Sequence, residues 1–376
     1  MTIVLLGCVI ALLYVYAGYF AIARFVSPRT SPARSDDLHG APSVTVLITA
    51  FNEQAHIGAR LENILSCTYQ KDRLDIVVAS DGSTDGTDQI VLAYGDRGVR
   101  LFRPSHRSGK SATQNEALNE ITADVVVFTD AKTEFSRSFL KEIIRPFSDA
   151  HVGCVDGHLL FKSNDATDNI ATSQGYYWRQ ELKLRAAESA LGLLVVASGA
   201  CMAVRRRLIK PLPATVGEDC VIPLDVARQG FKTVHAATAL AFDVSTHGAQ
   251  QEFATRVRMT SRNWQGTWMY TDLLNPLRHP GLALSLWSHK ILRWLSPFFL
   301  LGWCACSVIV LVAGRAPTLL GLPGAAFLVL SLGLTVAPPT RGTLGLRFLW
   351  AFIVANAGFA VGVLRGVSGV RITTYR

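Results

Sequence analysis

The sequence predicts an α/β protein in which a mostly parallel β-sheet domain is flanked by transmembrane α-helices. Between residues 43 and 250, short β-branched runs alternate with longer polar stretches that suit helices, as in a parallel sheet with helical crossovers. Both ends carry long apolar stretches, and the 376-residue chain is 49% hydrophobic and 17% charged. So little charge favours a membrane protein over a soluble one.

The formal net charge of +9 is confined to the two ends of the chain. All 28 acidic residues lie between Asp36 and Asp272, whereas residues 1–34 hold three Arg, residues 297–376 hold six, and neither region has an acid. The nine Arg account for the whole excess, so the middle of the chain is formally neutral. A nucleic-acid-binding domain would carry its excess on the folded part. We therefore expect no nucleic-acid partner.

Residues 1–26 are predicted to form an N-terminal transmembrane helix. Residues 2–23 carry no charge and are long enough to cross a bilayer core. A signal peptide, the rival interpretation, would begin with basic residues, whereas here Arg24, Arg29 and Arg34 follow the apolar stretch. The positive-inside rule then predicts an external N-terminus and a cytoplasmic domain. Residues 27–42, with their Pro and Ser, are predicted to be a linker.

Residues 43–280 are predicted to form the folded α/β domain. The expected strands are 43–50, 74–80, 99–103, 124–129, 153–160, 200–205 and 233–243. The expected helices include 54–65, 87–94, 111–120, 137–147, 173–190 and 223–229.

The remainder is predicted to associate with the membrane. Residues 281–296 mix Leu, Trp and Ile with basic residues, which indicates an amphipathic helix in the membrane interface or, alternatively, a surface helix of the folded domain. Residues 297–376 are predicted to hold about three membrane segments, at 297–314, 316–340 and 348–364. Because four spans would place the C-terminal Arg residues outside, the last segment stays open between a span and a re-entrant or interfacial hairpin.

Acidic and polar residues follow the predicted strands, where open α/β sheets bind ligands. Residues 49–53 (TAFNE) end the first strand, and residues 80–87 (SDGSTDGT) follow the second. Either stretch could instead cap a helix or form an ordinary turn. The fourth strand is apolar and runs into Asp130, a carboxylate that needs a partner if it is buried. A divalent cation, Mg²⁺ or Mn²⁺, bridging a diphosphate would provide that partner.

Lys110, Glu218 and Asp219 also mark helix starts. Lys110 lies beside a predicted helix N-terminus, which favours a phosphate group, although a solvated Lys is equally compatible. One carboxylate of the Glu218–Asp219 pair could be a general base; the pair would also suit the dipole of a helix.

A basic and aromatic group precedes the C-terminal membrane region. Arg256, Arg258 and Arg262 could clamp a diphosphate, with Trp264 offering a stacking face for a sugar. The alternative is a juxtamembrane patch on anionic lipid.

In their order and placement these stretches resemble the membrane-embedded family 2 glycosyltransferases, relatives of cellulose, hyaluronan and poly-N-acetylglucosamine synthases. The resemblance runs from about Pro42 to Pro297. It rests on TAFNE (49–53), SDGSTDGT (80–87), GKSATQNEAL (109–118), VVVFTDA (125–131), SGACMAVRR (198–206), GEDCVIPLDVARQGFKTV (217–234), RVRMTSRNWQG (256–266) and SHKILRWLSP (288–297). It implies a GT-A fold, a nucleotide-sugar donor and an inverting transfer.

The resemblance also implies roles for individual residues. Asp219 matches the Asp of the family's T-E-D motif and would be the catalytic base. Asp130 matches the first Asp of the D-x-D motif and would hold the metal ion. The donor site would comprise Ala50, Glu53, Asp81, Lys110, Asp130, Arg258 and Arg262. The acceptor site would comprise Ser198, Gly199, Ala200, Glu218 and Trp264.

Two departures from the family pattern bear on these roles. Lys132 occupies the second acidic position of D-x-D, where it could neutralise the diphosphate, point away or weaken metal binding. Thr260 and Asn263 stand where the Q-x-x-R-W motif has Gln and Arg, which puts processive synthesis in doubt more than transfer itself.

The sequence therefore predicts an integral plasma-membrane hexosyltransferase with a cytoplasmic catalytic domain. We expect it to move a sugar, with inversion, from a UDP-sugar donor to a hydroxyl of a lipid or glycan acceptor at the bilayer, in exopolysaccharide or glycolipid synthesis. One alternative is a processive polysaccharide synthase that extrudes its product. An alternative of another class is an inactive nucleotide-binding scaffold protein of a polysaccharide assembly, which Lys132 would indicate.

Overall fold

The computed structural model describes residues 1–28, 40–162, 169–244, 248–314, 320–337 and 344–370. Its centre is one eight-stranded mixed sheet. The strands are β1 (Val44–Ala50), β2 (Leu74–Ser80), β3 (Val99–Phe102), β4 (Val125–Asp130), β5 (Glu134–Phe135), β6 (Val152–Lys162), β7 (Met202–Arg205) and β8 (Lys232–Val244). Most of the predicted linker at 27–42 lies outside the described residues, as do Arg29, Arg34, Arg341, Arg371 and Arg376.

The strand order is β3-β2-β1-β4-β7-β6-β8-β5. Strands β3, β2, β1 and β4 run parallel to one another, β7 is antiparallel to both of its neighbours, and β6 is parallel to β8. The seven predicted strands are all present with their ends shifted by no more than about two residues, and the prediction of a mostly parallel α/β domain is confirmed. The two-residue β5 was not predicted.

The central strands are apolar because both faces of the sheet are covered. Val46 of β1 and Val127 of β4 belong to one buried cluster, whereas their neighbours Leu47 and Val126 belong to the cluster on the opposite face. Strands covered on both sides have continuous rather than alternating hydrophobic sequences, which explains why these strands could be recognised in the sequence.

The helices cover both faces and extend into the membrane part. They are α1 (Thr2–Val26), α2 (Ile57–Leu65), α3 (Thr87–Leu92), α4 (Lys110–Asn119), α5 (Phe139–Ile144), α6 (Asn169–Ala190), α7 (Glu218–Arg228), α8 (Ala249–Trp268), α9 (Pro280–Val312), α10 (Leu322–Val336) and α11 (Leu344–Val367). The prediction that a helix starts at Pro223 is wrong, since α7 begins five residues earlier and contains Pro223. This puts Glu218 and Asp219 in its first turn.

Within the described ranges, three helices are long and apolar enough to cross a membrane: Thr2–Val26, Pro280–Val312 and Gly345–Val367. Helix α10 has the same character but only 15 residues. The segments predicted at 281–296 and 297–314 form the single continuous helix α9. A π-helical turn near its start holds His289 and Lys290, both of which are buried. His289 Nε2 lies 2.9 Å from Glu181 Oε1 of α6.

Helix α8 connects the sheet domain to the membrane part. Three glycines of α11, Gly358, Gly362 and Gly366, lie against Arg256, Thr260 and Trp264 of α8. Small residues at four-residue intervals let two helix backbones approach closely. Helix α8, with its Arg residues, is thereby held against α11, a candidate membrane helix.

Candidate active site

Three of the predicted donor residues, Ala50, Asp81 and Asp130, lie at the edge of the sheet where β1, β2 and β4 end. In the register of the sheet, Thr49 is opposite Asp130 and Ala50 is opposite Ser80. Because these strands are parallel, their carboxyl ends meet at one edge, the usual location of ligands in such sheets.

Asp81, directly after β2, orders the loop in front of α4. Its carboxylate accepts hydrogen bonds from the backbone N–H groups of Ser108 and Gly109 at 2.9–3.1 Å, and from the Thr113 hydroxyl at 2.9 Å. Gly109 has φ +91°, a conformation that favours glycine. In this structure Asp81 therefore holds the turn that presents Lys110.

Lys110 bridges two carboxylates from different elements. Its Nζ lies 2.8 Å from Asp130 Oδ1 and 2.6 Å from Glu218 Oε1. The Glu218 side chain is only 4% exposed, whereas that of Asp130 is 43% exposed. Lys110 thus compensates a buried acid while leaving part of Asp130 accessible to a ligand.

Asp219 stands beside Glu218 in the first turn of α7. Burial, and then the neighbouring Glu218 carboxylate, raise the pKa of Asp219, while Lys290, Lys110 and Arg262 act in the opposite direction. Gly199 and Gly217 allow this crowding: a Cβ at Gly217 would collide with Asp219 Oδ1, and one at Gly199 would lie 2.8 Å from Glu218 Oε1. A carboxylate with a raised pKa is suited to accept a proton.

A cavity of about 140 Å³ brings most of the predicted site together. The predicted residues that line it are Lys110, Asp130, Gly199, Ala200, Glu218, Asp219, Arg258 and Arg262. A larger cavity of about 430 Å³, here called the catalytic cavity, also includes Asp130, Asp219 and Arg258 and continues between α6, α8 and α9. The described lining of both cavities omits Ala50, Glu53, Asp81, Ser198 and Trp264.

Trp264 packs between helices rather than into a cavity. Its ring centroid lies 6.2 Å from that of Trp294 and 5.7 Å from that of Trp268. Its neighbours Thr260 and Asn263, the two residues that depart from the family motif, do line the catalytic cavity.

Ser198 is held by a buried network that sequence reasoning missed. Its backbone N–H donates to Asp156 Oδ1 at 2.8 Å, and its hydroxyl accepts from Arg185 at 3.0 Å. Asp156 also lies 3.2 Å from Arg185 and 2.9 Å from His235 Nδ1. The available signal was an Asp inside the predicted apolar strand 153–160, because a carboxylate there needs buried partners.

The surroundings of Asp130 fit a divalent ion that draws further ligands from a substrate. Among the described residues no group of three His, Cys, Asp or Glu is arranged to hold a metal. Lys132 is directed to Glu53, with Nζ 3.4 Å from Oε1. Asp243, also missed, lines the catalytic cavity with Asp130, and burial and then the nearby Asp130 raise its pKa. One or two carboxylates completed by phosphate oxygens and water are typical of Mg²⁺ sites.

An α/β sheet with a basic and acidic cavity at the carboxyl ends of its strands, joined to membrane helices, is the arrangement of a membrane glycosyltransferase with a GT-A fold. The sequence model for the family described as "Glycosyltransferase like family 2" matches residues 41–267. The chain belongs to this family and is a glycosyltransferase, as the motifs predicted.

The relatives agree with this assignment, and a solved structure agrees with the fold. The chain is 26% identical over 335 residues to an N-acetylglucosaminyltransferase of Rhizobium sp. (strain N33), covering 84% of this chain and 72% of the relative. It is 27% identical over 231 residues to the hyaluronan synthase of Streptococcus pyogenes, covering 55% of each. The fold is similar to that of the mannosyltransferase PcManGT from Pyrobaculum calidifontis in complex with GDP-Man and Mn²⁺, with a TM-score of 0.75, 22% identity and coverage of 98% and 99%.

Proposed function

We propose that this protein transfers a sugar, with inversion, from a UDP-sugar to a hydroxyl of a membrane-associated acceptor. The observation that supports it best is the convergence of Lys110, Asp130, Asp219, Arg258 and Arg262 on one cavity. This set provides cations for a diphosphate and a carboxylate for a proton, which are the requirements of glycosyl transfer from a nucleotide sugar.

Donor binding is assigned to the edge of the sheet. Ala50, Glu53 and Asp81 would contact the uracil and ribose, as the family resemblance implies. Arg258 and Arg262, on one face of α8, would contact the diphosphate together with Lys110, since planar guanidinium groups suit phosphate oxygens.

A divalent ion, Mg²⁺ or Mn²⁺, would be held by Asp130, with Asp243 as a second candidate ligand. The neighbour PcManGT is described with Mn²⁺. When bound, such an ion neutralises charge on the departing diphosphate. Lys132 lies near Glu53, so it would act on the nucleotide side of the site.

The chemical step is assigned to Asp219. Its carboxylate would take the proton of the acceptor hydroxyl as that oxygen attacks the anomeric carbon. The bond between this carbon and the diphosphate oxygen breaks, and the nucleoside diphosphate leaves on the opposite face. Lys110 and Arg258 would stabilise the negative charge that develops on the leaving group.

The catalytic domain is assigned to the cytoplasmic side of the plasma membrane. Arg24 lies near the end of α1 that leads into the domain, as the positive-inside rule requires. Nucleotide sugars would reach the cavity from this side, and the acceptor from the bilayer.

The test is nucleotide release by the full chain, purified in detergent with co-purified lipid. UDP-glucose, UDP-N-acetylglucosamine, UDP-glucuronic acid and GDP-mannose are compared, each with Mn²⁺, with Mg²⁺ and with EDTA. We expect metal-dependent UDP release from one of the UDP-sugars. Release from GDP-mannose alone would contradict the donor assignment, and absence of both nucleotide binding and release for every donor would contradict the function.

A further inference from the structure

A second cavity of about 790 Å³, here called the membrane cavity, lies between α1, α6 and α11. Most of its wall is apolar. The lining residues from α1 and α11, two of the three candidate membrane spans, include Tyr16, Ala17, Phe20, Phe348, Phe352 and Ala355. The volume falls within the range of about 300–1,000 Å³ that is typical of ligand pockets.

The membrane cavity and the catalytic cavity share one wall. The residues that line both are Tyr177, Glu181, Glu252, Arg256, Arg293 and Phe359. An Arg293 N–H donates to the Tyr177 hydroxyl at 2.8 Å, and the Arg256 guanidinium lies 5.1 Å from the Tyr177 ring centre. On the far side of these side chains the catalytic cavity reaches Asp130 and Asp219. An apolar chamber among membrane helices thus adjoins the proposed base.

The shared wall carries balanced charge. Arg256 Nε lies 2.6 Å from Glu252 Oε1, and an Arg293 nitrogen lies 2.9 Å from Glu181 Oε2. A phosphate head group would compete with these buried carboxylates for the partly buried guanidinium groups, whereas a hydroxyl group only needs hydrogen bonds. Breaking a buried ion pair leaves an uncompensated charge. The wall therefore favours an uncharged head group.

The membrane cavity opens beside the exposed face of α1. Ala17 and Ala21 of α1 line it and remain exposed. In a membrane these positions would face hydrocarbon, so an apolar chain can enter between α1 and α11 without dehydrating polar groups.

We propose that the membrane cavity binds the hydrocarbon chains of a lipid acceptor whose uncharged, hydroxyl-bearing head passes Tyr177 and Arg256 to reach Asp219. This inference rests on the proposed function and names its acceptor class. The head-group hydroxyl loses its proton to Asp219 and forms the new bond to the anomeric carbon. The products are a glycolipid and a nucleoside diphosphate.

The test uses the full chain in phosphatidylcholine vesicles containing dioleoylglycerol, with the donor identified by nucleotide release. Ala355→Trp fills the membrane cavity, and Ala17→Trp fills it from the opposite wall. Ala357→Trp is the matched control, since Ala357 lies on α11 but is exposed and outside the described lining. We expect mass spectrometry to show a glycosylated dioleoylglycerol. Each filling variant should lower kcat/KM for the lipid at least tenfold with an unchanged donor Kd, while the control matches wild type.

Three results would overturn the acceptor assignment while leaving the proposed function intact. These are transfer only to a soluble oligosaccharide, transfer only to a phosphate-headed polyprenyl lipid, and wild-type rates in both filling variants. Thermal unfolding of each variant in detergent separates a blocked cavity from a misfolded chain. Failure to bind or cleave any nucleotide sugar would instead count against the proposed function.

Discussion

The pKa of Asp219 is determined by residues from four different elements. Glu218 beside it and burial raise its pKa, while Lys110 from α4, Arg262 from α8 and Lys290 from α9 oppose that shift. The glycines at 199 and 217 leave room for the two carboxylates. The balance among these charges sets the pH range in which the carboxylate can act as a base.

This balance predicts the acid limb of the pH–rate profile. A base must be ionised, so kcat/KM falls as pH drops through the pKa of Asp219, and because that pKa is raised the fall occurs above the usual pH for an aspartate. Lys290→Met removes a cation that favours the ionised form, and should move the limb upward by roughly one pH unit. The exposed Lys183→Met is the control. If the acid limb of Lys290→Met stays at the wild-type pH, the assignment of Asp219 as the base would be contradicted.

At the residue scale, the sequence predicts which residues carry the chemistry better than it predicts which residues lie next to one another. Lys110, Asp130 and Asp219 were identified from strand ends and helix starts, and the structure brings them to one cavity. Asp243 could not be identified, because its relation to Asp130 depends on how distant strands align. Asp156 did carry a signal, its place inside an apolar strand, but its partners Arg185 and His235 come from other elements and could not be identified.

At the scale of elements, α8 and α11 form the contact on which the site depends. Helix α8 carries Arg258 and Arg262, and α11 supports it through closely approaching glycines. A Cβ at Gly362 would lie 2.6 Å from Thr260 Cβ, and a Cβ at Gly358 would lie 2.5 Å from Arg256 Cβ. A side chain at either glycine would make contacts this short and would force the two helices apart.

Gly362→Ala should therefore lower both the melting temperature in detergent and kcat, since α8 must shift. Overpacking of this kind typically costs about 1–3 kcal/mol. Gly345→Ala on the same helix, where a Cβ meets nothing within 4 Å, should be neutral or slightly stabilising, because Ala favours helix. Equal melting temperatures for the two variants would show that the helix contact is looser than the structure indicates.

Strands and helices can be predicted where a segment's own hydrophobic pattern shows which of its residues are buried. The buried strands can be predicted because their apolar runs are continuous. Helix α8 cannot, since its buried face is determined by packing against α11 and α7. The start of α7 was misplaced because Pro223 favours a first turn, and here the helix accommodates it internally.

At the scale of the whole molecule, a buried ionic cluster joins the membrane helices to the sheet domain. Glu188 of α6 accepts a hydrogen bond from Tyr19 of α1 at 2.7 Å and one from Ser285 of α9 at 2.9 Å, and lies 2.8 Å from His289 Nδ1. One carboxylate thereby fixes three elements that are far apart in the sequence.

Glu188→Ala should destabilise the protein strongly, by about 3–5 kcal/mol, the usual consequence of removing one member of a buried charged cluster. Glu188→Gln keeps an acceptor for Tyr19 and should lose less. The exposed Glu116→Ala on α4 serves as the control. Chemical unfolding in detergent gives the three values, and a Glu188→Ala protein as stable as the control would refute the role of this cluster.

The distribution of charge was the whole-molecule feature most visible in the sequence. The positive excess at the ends coincides with the membrane-bearing parts, and the acids are confined to the middle. The sequence could not predict how the membrane part meets the domain. Part of that contact is made by buried ion pairs and small residues, and its apolar residues, such as Phe359 and Val363 of α11, look in the sequence like those of any membrane helix.

The central claim, that Asp219 is the base in a nucleotide-sugar transfer, is tested most directly by turnover of Asp219→Asn. With the donor and acceptor that wild type uses, kcat should fall by about 10²–10⁴-fold, while the donor Kd from calorimetry stays unchanged. Asp225→Asn, on the same helix and outside the described lining of the cavity, should retain wild-type kcat. Wild-type turnover by Asp219→Asn would contradict the account.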